Sequence, residues 1–286
     1  MFRLGYNTNG LSFHRIGDAI DLLADLGYEG IAITPDVGPL DPFELDRRTV
    51  ADVRQRLDDA GLEVAIETGA RYVLDPRRKH RPTLLESASH ERDRRVDFLR
   101  RSIDLAVDLD ARVVSLWSGA VPEGESGTLD DAADHPLAER LAEGLTRVLE
   151  HARGANVRVG FEPEPGMFVE RPRGFRALLE RMGSDGRDLG LTLDVGHCVV
   201  TGDEPVSAVV EGFAERLVHV HLDDCPRGRH VHLPFGEGDL DLRDALHGLI
   251  TCGFDGMAAV ELSRDGHRAP EAARDALEAL RGALGE

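Results

Sequence analysis

The sequence predicts an α/β fold: a (β/α)8 TIM barrel, in a single domain with extended loops after its strands. Three observations predict it. A short apolar, β-branched run, then polar or glycine-rich residues, then an amphipathic stretch recur eight times in 286 residues. About 250 residues is typical of such a barrel. The short runs are apolar throughout, as in ARVVSLW, which suits parallel strands buried on both faces. No linker interrupts the pattern, so residues 1–286 read as one domain.

The first unit pairs a strand at Phe2–Tyr6 with a helix at Ile16–Leu26, where Ala19, Leu22, Leu23 and Leu26 recur three and four apart. Gly30–Thr34 then precedes Val50–Ala60, and Glu63–Glu67 precedes Arg92–Leu109. In that third helix Val96, Leu99, Ile103, Leu105 and Val107 give a broader apolar face. Arg112–Trp117 pairs with Leu137–Arg153, Val157–Glu162 with Gly174–Met182, and Gly190–Asp194 with Val206–Arg216. Val218–Leu222 pairs with Leu242–Thr251, and Met257–Glu261 with Pro270–Leu284. Gly27, Gly61 and Gly253 stand where left-handed caps end helices. An open doubly wound sheet is the competing architecture. Against it, the first strand–helix turn, NTNGLSFHR, lacks GxGxxG, and no P-loop occurs. The longest irregular stretches, Pro35–Asp46, Arg71–His90 and Ala120–His135, all follow strands. In a barrel they gather on one face, over the active site.

Composition narrows the function. Lys plus Arg total 34 against 53 Asp plus Glu, a net charge of −19, with 41% hydrophobic residues. The chain is too apolar for disorder and long enough to bury a full core. Its charge argues against nucleic acid, whose phosphates need a cationic face, and against anionic membranes. A polyanionic substrate would need a cation in the site. Cys198, Cys225 and Cys252 form no CxxC pair, which excludes a disulfide scaffold and a cysteine-type zinc site. No apolar run approaches the ~20 residues of a membrane span. The start, MFRLGYNTNG, lacks signal-peptide features, so a cytoplasmic protein is expected. Lys79, in DPRRKHRP, is the only lysine, which argues against Schiff-base chemistry.

A parallel barrel carries its chemistry at the C-terminal strand ends. The fifth strand ends in GFEPEPG, with Glu162 and Glu164. The sixth ends in LTLDVGH, with Asp194 and His197. The seventh reads VHVHLDD, with His219, His221, Asp223 and Asp224, and the eighth ends in AAVELS, with Glu261. Each alone is weak, because a carboxylate at a strand end often caps a helix. Their coincidence matters. Carboxylates buried together are too costly without a paired cation. Three carboxylates and an imidazole suit one divalent ion, Mn²⁺ first, with Mg²⁺, Co²⁺ or Zn²⁺ compatible, and no organic cofactor is expected.

These segments, with PFGEGDLD and CGFDGMAAVEL, resemble the xylose-isomerase-like TIM-barrel superfamily over essentially the whole chain, most strongly from Val157 to Ser263. That superfamily holds sugar and sugar-phosphate isomerases, ketose 3-epimerases and a DNA-repair endonuclease branch. The resemblance implies that Glu162, Asp194, His221 and Glu261 hold the metal. It implies that His197 and Arg227, six residues after His221, contact substrate oxygens. The implied chemistry is proton transfer beside a carbonyl through a metal-stabilised enediolate, with Glu162 and Glu261 as the two acid/base groups. One histidine of HVH is taken to face the interior. The family pattern favours His221, leaving His219 against the helix layer.

The chain also departs from the family pattern. RGRHVHLPFGEGD carries His230 and His232, where the endonuclease branch has an Asp-x-His pair on a further metal. A second metal site there, substrate binding by His232, and a solvated His230 all stay open. The endonuclease histidines at the third and fourth strand ends are missing. Glu67, Arg71 and Trp117 take those places and are candidate substrate contacts. Trp117 suits a sugar ring or the barrel core equally. Arg71 and the run Arg77, Arg78, Lys79, His80, Arg81 suit an anionic substrate group or a solvated loop. Phe168 stands six residues after Glu162, where epimerases often have a second carboxylate, so a less polar pocket is expected there.

Two enzymatic readings follow: an isomerase or epimerase of a sugar or other polyhydroxylated carbonyl compound, or a dehydratase of a cyclic polyol ketone. Product mass separates them. A third, an endonuclease-like phosphodiesterase, would show as tight DNA binding at physiological salt. A catalytically silent barrel would show a broken ligand set, and this set is intact. The expected partner is a small sugar-like molecule, with no nucleic acid and no membrane. A homodimer is compatible with barrels of this kind.

Overall fold

The computed structural model describes residues 2–38, 40–130 and 135–285. Its eight parallel strands close into a barrel in sequence order. The order is β1 (Arg3–Asn7), α1 (Ile16–Leu26), β2 (Gly30–Ile33), α2 (Arg47–Ala60), β3 (Glu63–Glu67), α3 (Ser89–Asp108), β4 (Val113–Trp117), α4 (Pro136–Ala155) and β5 (Arg158–Glu162). Then come α5 (Pro172–Met182), β6 (Leu189–Asp194), α6 (Val195–Thr201), α7 (Val206–Phe213), β7 (Leu217–Leu222), α8 (Leu242–Thr251), β8 (Met257–Val260) and α9 (Ala269–Leu284). Part of the loop expected at Ala120–His135, residues 131–134, lies outside the described residues. Among the described residues no helix is long and apolar enough to cross a membrane.

Local chemistry accounts for the helix ends. Asp46 caps α2, its carboxylate accepting from the amides of Arg48 and Thr49. Gly27 and Gly61 close α1 and α2 at φ +92 and +67, where a side chain would be strained. Helix α6 is an addition to the sequence prediction. Seven residues are too few for a readable apolar period, and Asp194 nucleates them by accepting from the His197 amide at 2.7 Å.

The barrel sorts residues by parity, because successive side chains on a strand point to opposite faces. Leu4, Tyr6, Ile31, Ile33, Val64, Ile66, Ala258 and Val260 join the main core with residues of the helices. Ala32, Ala65, Met257 and Ala259 form a separate core inside the barrel. Met257 fills the base. A Cβ on Gly5 would lie 2.6 Å from its Sδ, and one on Gly30 2.6 Å from its Cε. Ser115 and Thr192 hydrogen-bond to each other at 3.0 Å in the interior. Small residues in this layer leave the interior open to larger polar side chains at the strand ends.

His219 belongs inside, contrary to the expectation that placed it against the helices. Residues two apart share a strand face, so His219 and His221 must point the same way. Both rings are buried, with centroids 5.1 Å apart.

Met257→Ala should open a cavity at the base of the barrel. A loss of about 2–5 kcal/mol is expected, read from urea unfolding.

Candidate active site

At the C-terminal strand ends a cavity of about 430 Å³ opens. The wall residues at the strand ends follow from strand parity. Asn7, Thr34, Glu67, Ser115, Trp117, Glu162, His221 and Glu261 line it. Glu162 on β5 and Glu261, just past β8, both reach His221 Nδ1 at 3.0 Å. Asp194 Oδ2 stands 3.9 Å from that nitrogen. One donor atom each from Glu162, Asp194, His221 and Glu261 can lie within 4.8 Å of the others.

The set fits a divalent cation on two grounds. Asp194 divides its oxygens: Oδ1 accepts from the His197 amide, while Oδ2 is buried with no hydrogen-bond partner. A buried carboxylate oxygen without a donor is unfavourable, and a cation would satisfy it. Burial, then the Asp223 carboxylate, pushes Asp194 well above the usual carboxylate range. The second ground is His221. Burial opposes its charge, yet Glu67, Glu162 and Glu261 outweigh that and hold it protonated well above the usual imidazole range. The proton on Nδ1 stands where a cation would.

Glu67 fixes the orientation of that ring. Its Oε1 accepts from His221 Nε2 and lies 3.0 Å from His219 Nε2 as well. Burial pushes the Glu67 carboxyl up, but the two histidines overcome this and hold it at about 2. An ionised carboxylate only accepts, so Nε2 keeps its proton, and once the Nδ1 proton is displaced that lone pair can face an ion. Glu67, expected to contact substrate, is thus engaged by the histidine pair, although it still borders the cavity. Asn9 steadies the other side, donating from Nδ2 to Glu261 Oε1 at 2.7 Å.

The β6–β7 side of the mouth is lined by imidazoles: His197, His230 and His232. His197 Nδ1 bonds the Pro163 carbonyl at 3.2 Å, leaving Nε2 buried and unpartnered. Burial, then His230 and His232, pushes its pKa well below the usual value. His232 Nδ1 lies 2.6 Å from Asp223 Oδ2; burial disfavours its charge, but Asp223 prevails and raises it. These three rings can bring ligand atoms within 4.8 Å of one another. Gly196 admits this arrangement, because a Cβ there would meet Asp223 Oδ1 at 2.3 Å. Asp224 stabilises the loop that carries the histidines. Its oxygens accept from the amides of Gly236, Gly238 and Leu240 at 2.8–2.9 Å.

Trp117 serves both readings, since it is buried and also borders the cavity. The Arg95 guanidinium lies 4.8 Å from its ring centroid, and its Nη2 donates to the Thr68 carbonyl. Burial lowers Arg95 to about 9, and no carboxylate pairs with it among the described residues.

Two expectations are corrected. Arg227 does not reach the cavity. Its side chain is 57% exposed and pairs with Glu204 at 2.8 Å and Asp239 at 3.3 Å, and its amide donates to Asp239 as well. Nor does Phe168 make the pocket apolar. It is packed in the main core, its amide on the Gly119 carbonyl. Glu164 takes the place at the cavity instead. Burial, then Glu162 and Glu261, pushes its carboxyl up to about 8. Asn9 was missed, and Glu164 and Asp223 were noted at strand ends but given no role, because their roles depend on loop paths.

Residues 20–283 match the family model described as the xylose isomerase-like TIM barrel. The chain belongs to this family. An uncharacterised protein of Methanocaldococcus jannaschii is 27% identical over 190 residues, 64% of this chain and 62% of that one. The 3-dehydroshikimate dehydratase of Pseudomonas aeruginosa is 25% identical over 276 residues, 93% of this chain but 39% of the relative. The chain therefore spans less than two thirds of either relative. The structure of a D-allulose 3-epimerase from Methylomonas sp. superposes with a TM-score of 0.76 at 16% identity, covering 99% of this chain and 98% of that one. That likeness shows the shared xylose isomerase-like fold.

Titrating metal-free protein with Mn²⁺ should release protons, one displaced from His221 and a further one from Asp194, whose carboxyl burial holds above its usual range. Near a hundredfold excess over Kd, Tm should rise by roughly 5–10 °C. Asp194→Asn should remove most of that rise, read by calorimetry.

Proposed function

We propose that the protein is a divalent-metal-dependent isomerase or epimerase. Its substrate is a sugar or another polyhydroxylated carbonyl compound. The observation that carries this reading is the convergence of Glu162 and Glu261, from strands on different sides of the mouth, on the same His221 nitrogen at 3.0 Å each. Two carboxylates flanking one point suit removal of a proton from one face of a carbon and its return to the other.

Glu162, Asp194, His221 and Glu261 would hold the ion, with Mn²⁺ first among the candidates. When bound, it supplies charge that polarises a carbonyl and its neighbouring hydroxyl. The remaining work falls to side chains. One of Glu162 and Glu261 takes the proton on the carbon beside the carbonyl, and the other delivers one. Asn9 keeps the Glu261 carboxylate in place through its 2.7 Å hydrogen bond. His197 and His232 offer imidazole nitrogens to substrate hydroxyls from the β6–β7 side. Trp117 presents ring surface to a sugar, and Arg71 offers charge at the opposite rim.

A dehydratase is the second reading, favoured by the Pseudomonas aeruginosa relative, which aligns with 93% of this chain. The same proton removal would then expel a β-hydroxyl.

Glu162→Gln or Glu261→Gln should each lower kcat by about 10²–10⁴-fold while the circular dichroism spectrum is kept. Full activity in both would overturn the mechanism. Chelation with EDTA should abolish turnover, and Mn²⁺ or Co²⁺ should restore it. Mass spectrometry of the product separates the readings, because dehydration loses water and isomerisation conserves mass.

A further inference from the structure

Helix α3 carries Arg92, Arg94, Arg95, Arg100 and Arg101, and of these only Arg95 is fully buried. Its Nη2 donates to the Thr68 carbonyl at 2.9 Å, while Nη1 is buried with no hydrogen-bond partner. The guanidinium carbon lies 4.8 Å from the Trp117 ring centroid and 5.3 Å from that of Phe98, both within cation–π range. Burying a charge without a counter-ion is unfavourable. A methionine at this position would pack against Phe98 without that cost, so core packing does not account for the guanidinium.

What Arg95 touches leads to the cavity wall. Trp117, the sole tryptophan, borders the cavity with only 8% of its surface exposed. Two further contacts confine the ring. The His80 ring stands at 85° to it with centroids 5.5 Å apart, and His80 is itself fixed by donating from Nδ1 to the Gly69 carbonyl at 2.6 Å. A Cβ on Gly119 would lie 2.9 Å from the indole Cζ3, so the backbone there packs directly against the ring. Arg95 also joins the ends of two strands. Thr68, which accepts from it, follows Glu67 of β3 and donates its amide and hydroxyl to the Ser115 carbonyl of β4. A planar guanidinium can cover an indole face and donate in its own plane at once, which neither an alkyl chain nor an ammonium does.

We infer that Arg95 is a positioning residue, which acts on the substrate through Trp117 by fixing the plane of the indole as a rigid wall of the cavity. The inference rests on the proposed function only in taking Trp117 as a substrate contact. That Arg95 fixes the ring stands on the geometry alone.

Because Trp117 is the only tryptophan, its fluorescence and near-ultraviolet circular dichroism report on this ring directly. In the Mn²⁺-loaded chain, Arg95→Met should keep the far-ultraviolet spectrum but lose most of the indole band, as a ring freed from fixed packing does. Acrylamide quenching of the Trp117 emission should rise about twofold or more as the ring gains motion. Arg95→Lys, which keeps the charge without the plane, should fall between Arg95→Met and the parent chain. Arg101→Gln is the control on the same helix. Arg101 lies over Phe43 and pairs with Asp97, so its loss should leave both signals unchanged. With D-fructose as the probe sugar, Arg95→Met should raise KM about two- to tenfold and leave kcat within about twofold, the mark of lost binding surface. An unchanged indole band and unchanged quenching in a folded Arg95→Met chain overturn the inference. So does loss of the fold in both Arg95 variants, which would make Arg95 a core residue and nothing more. A fall in kcat at constant KM overturns it as well. The spectroscopic readouts decide whether Arg95 fixes the ring even if the probe sugar is not turned over. A ring fixed by Arg95 in a chain that turns over no sugar would sink the isomerase reading alone. Sugar turnover with a ring indifferent to Arg95 would sink the positioning role alone.

Discussion

The imidazole of His221 meets carboxylates on both nitrogens, and the rest of the site is arranged around that fact. Glu67 fixes Nε2, while Glu162 and Glu261 both approach Nδ1. A single ring therefore links β3, β5, β7 and the end of β8 across the interior. Three acidic groups around one ring would repel one another without a positive charge among them. The protonated imidazole supplies that charge in the metal-free chain, and a divalent ion would supply more of it.

Barrel closure makes this convergence possible. Once eight strands are paired in register, alternation decides which side chains enter the interior. Asn7, Thr34, Glu67, Trp117, Glu162, His221 and Glu261 then occupy the mouth, with alanine and glycine beneath them. Lengthening β7 by one residue would turn its histidines outward and bring Val220 and Leu222 inward. The tolerance of the loops contrasts with this rigidity. Charges on the β3 and β8 loops can change without moving the carboxylates, so substrate choice can vary while the centre stays fixed.

Much of this was legible in the sequence. Every strand was placed to within a residue at each end, because parallel buried strands are continuous apolar runs bounded by glycine or polar residues. Glu162, Asp194 and Glu261 were readable because each closes or directly follows such a run, and His221 because it stands in one near its end. What stayed hidden depended on loop paths. Arg227 has a matching spacing, but its loop carries it to Glu204 and Asp239. Phe168 has the spacing of a pocket residue but folds into the core, and Glu164 replaces it. The misplacement of His219 has a different cause. The period-two rule, applied to both histidines, puts them on one face.

The two oxygens of Asp194 tie the centre to the architecture around it. One starts helix α6 and the other is buried without a donor beside Glu162, His221 and Glu261, so a single side chain stands both at a helix start and in the candidate metal set. A lineage that abandoned the activity could not freely discard this aspartate, since the turn behind β6 would loosen as well. Asp194 should therefore outlast the function in silent descendants, while Glu162 and Glu261, which cap nothing, drift first. An inactive relative would then be recognised by its missing glutamates before its missing aspartate.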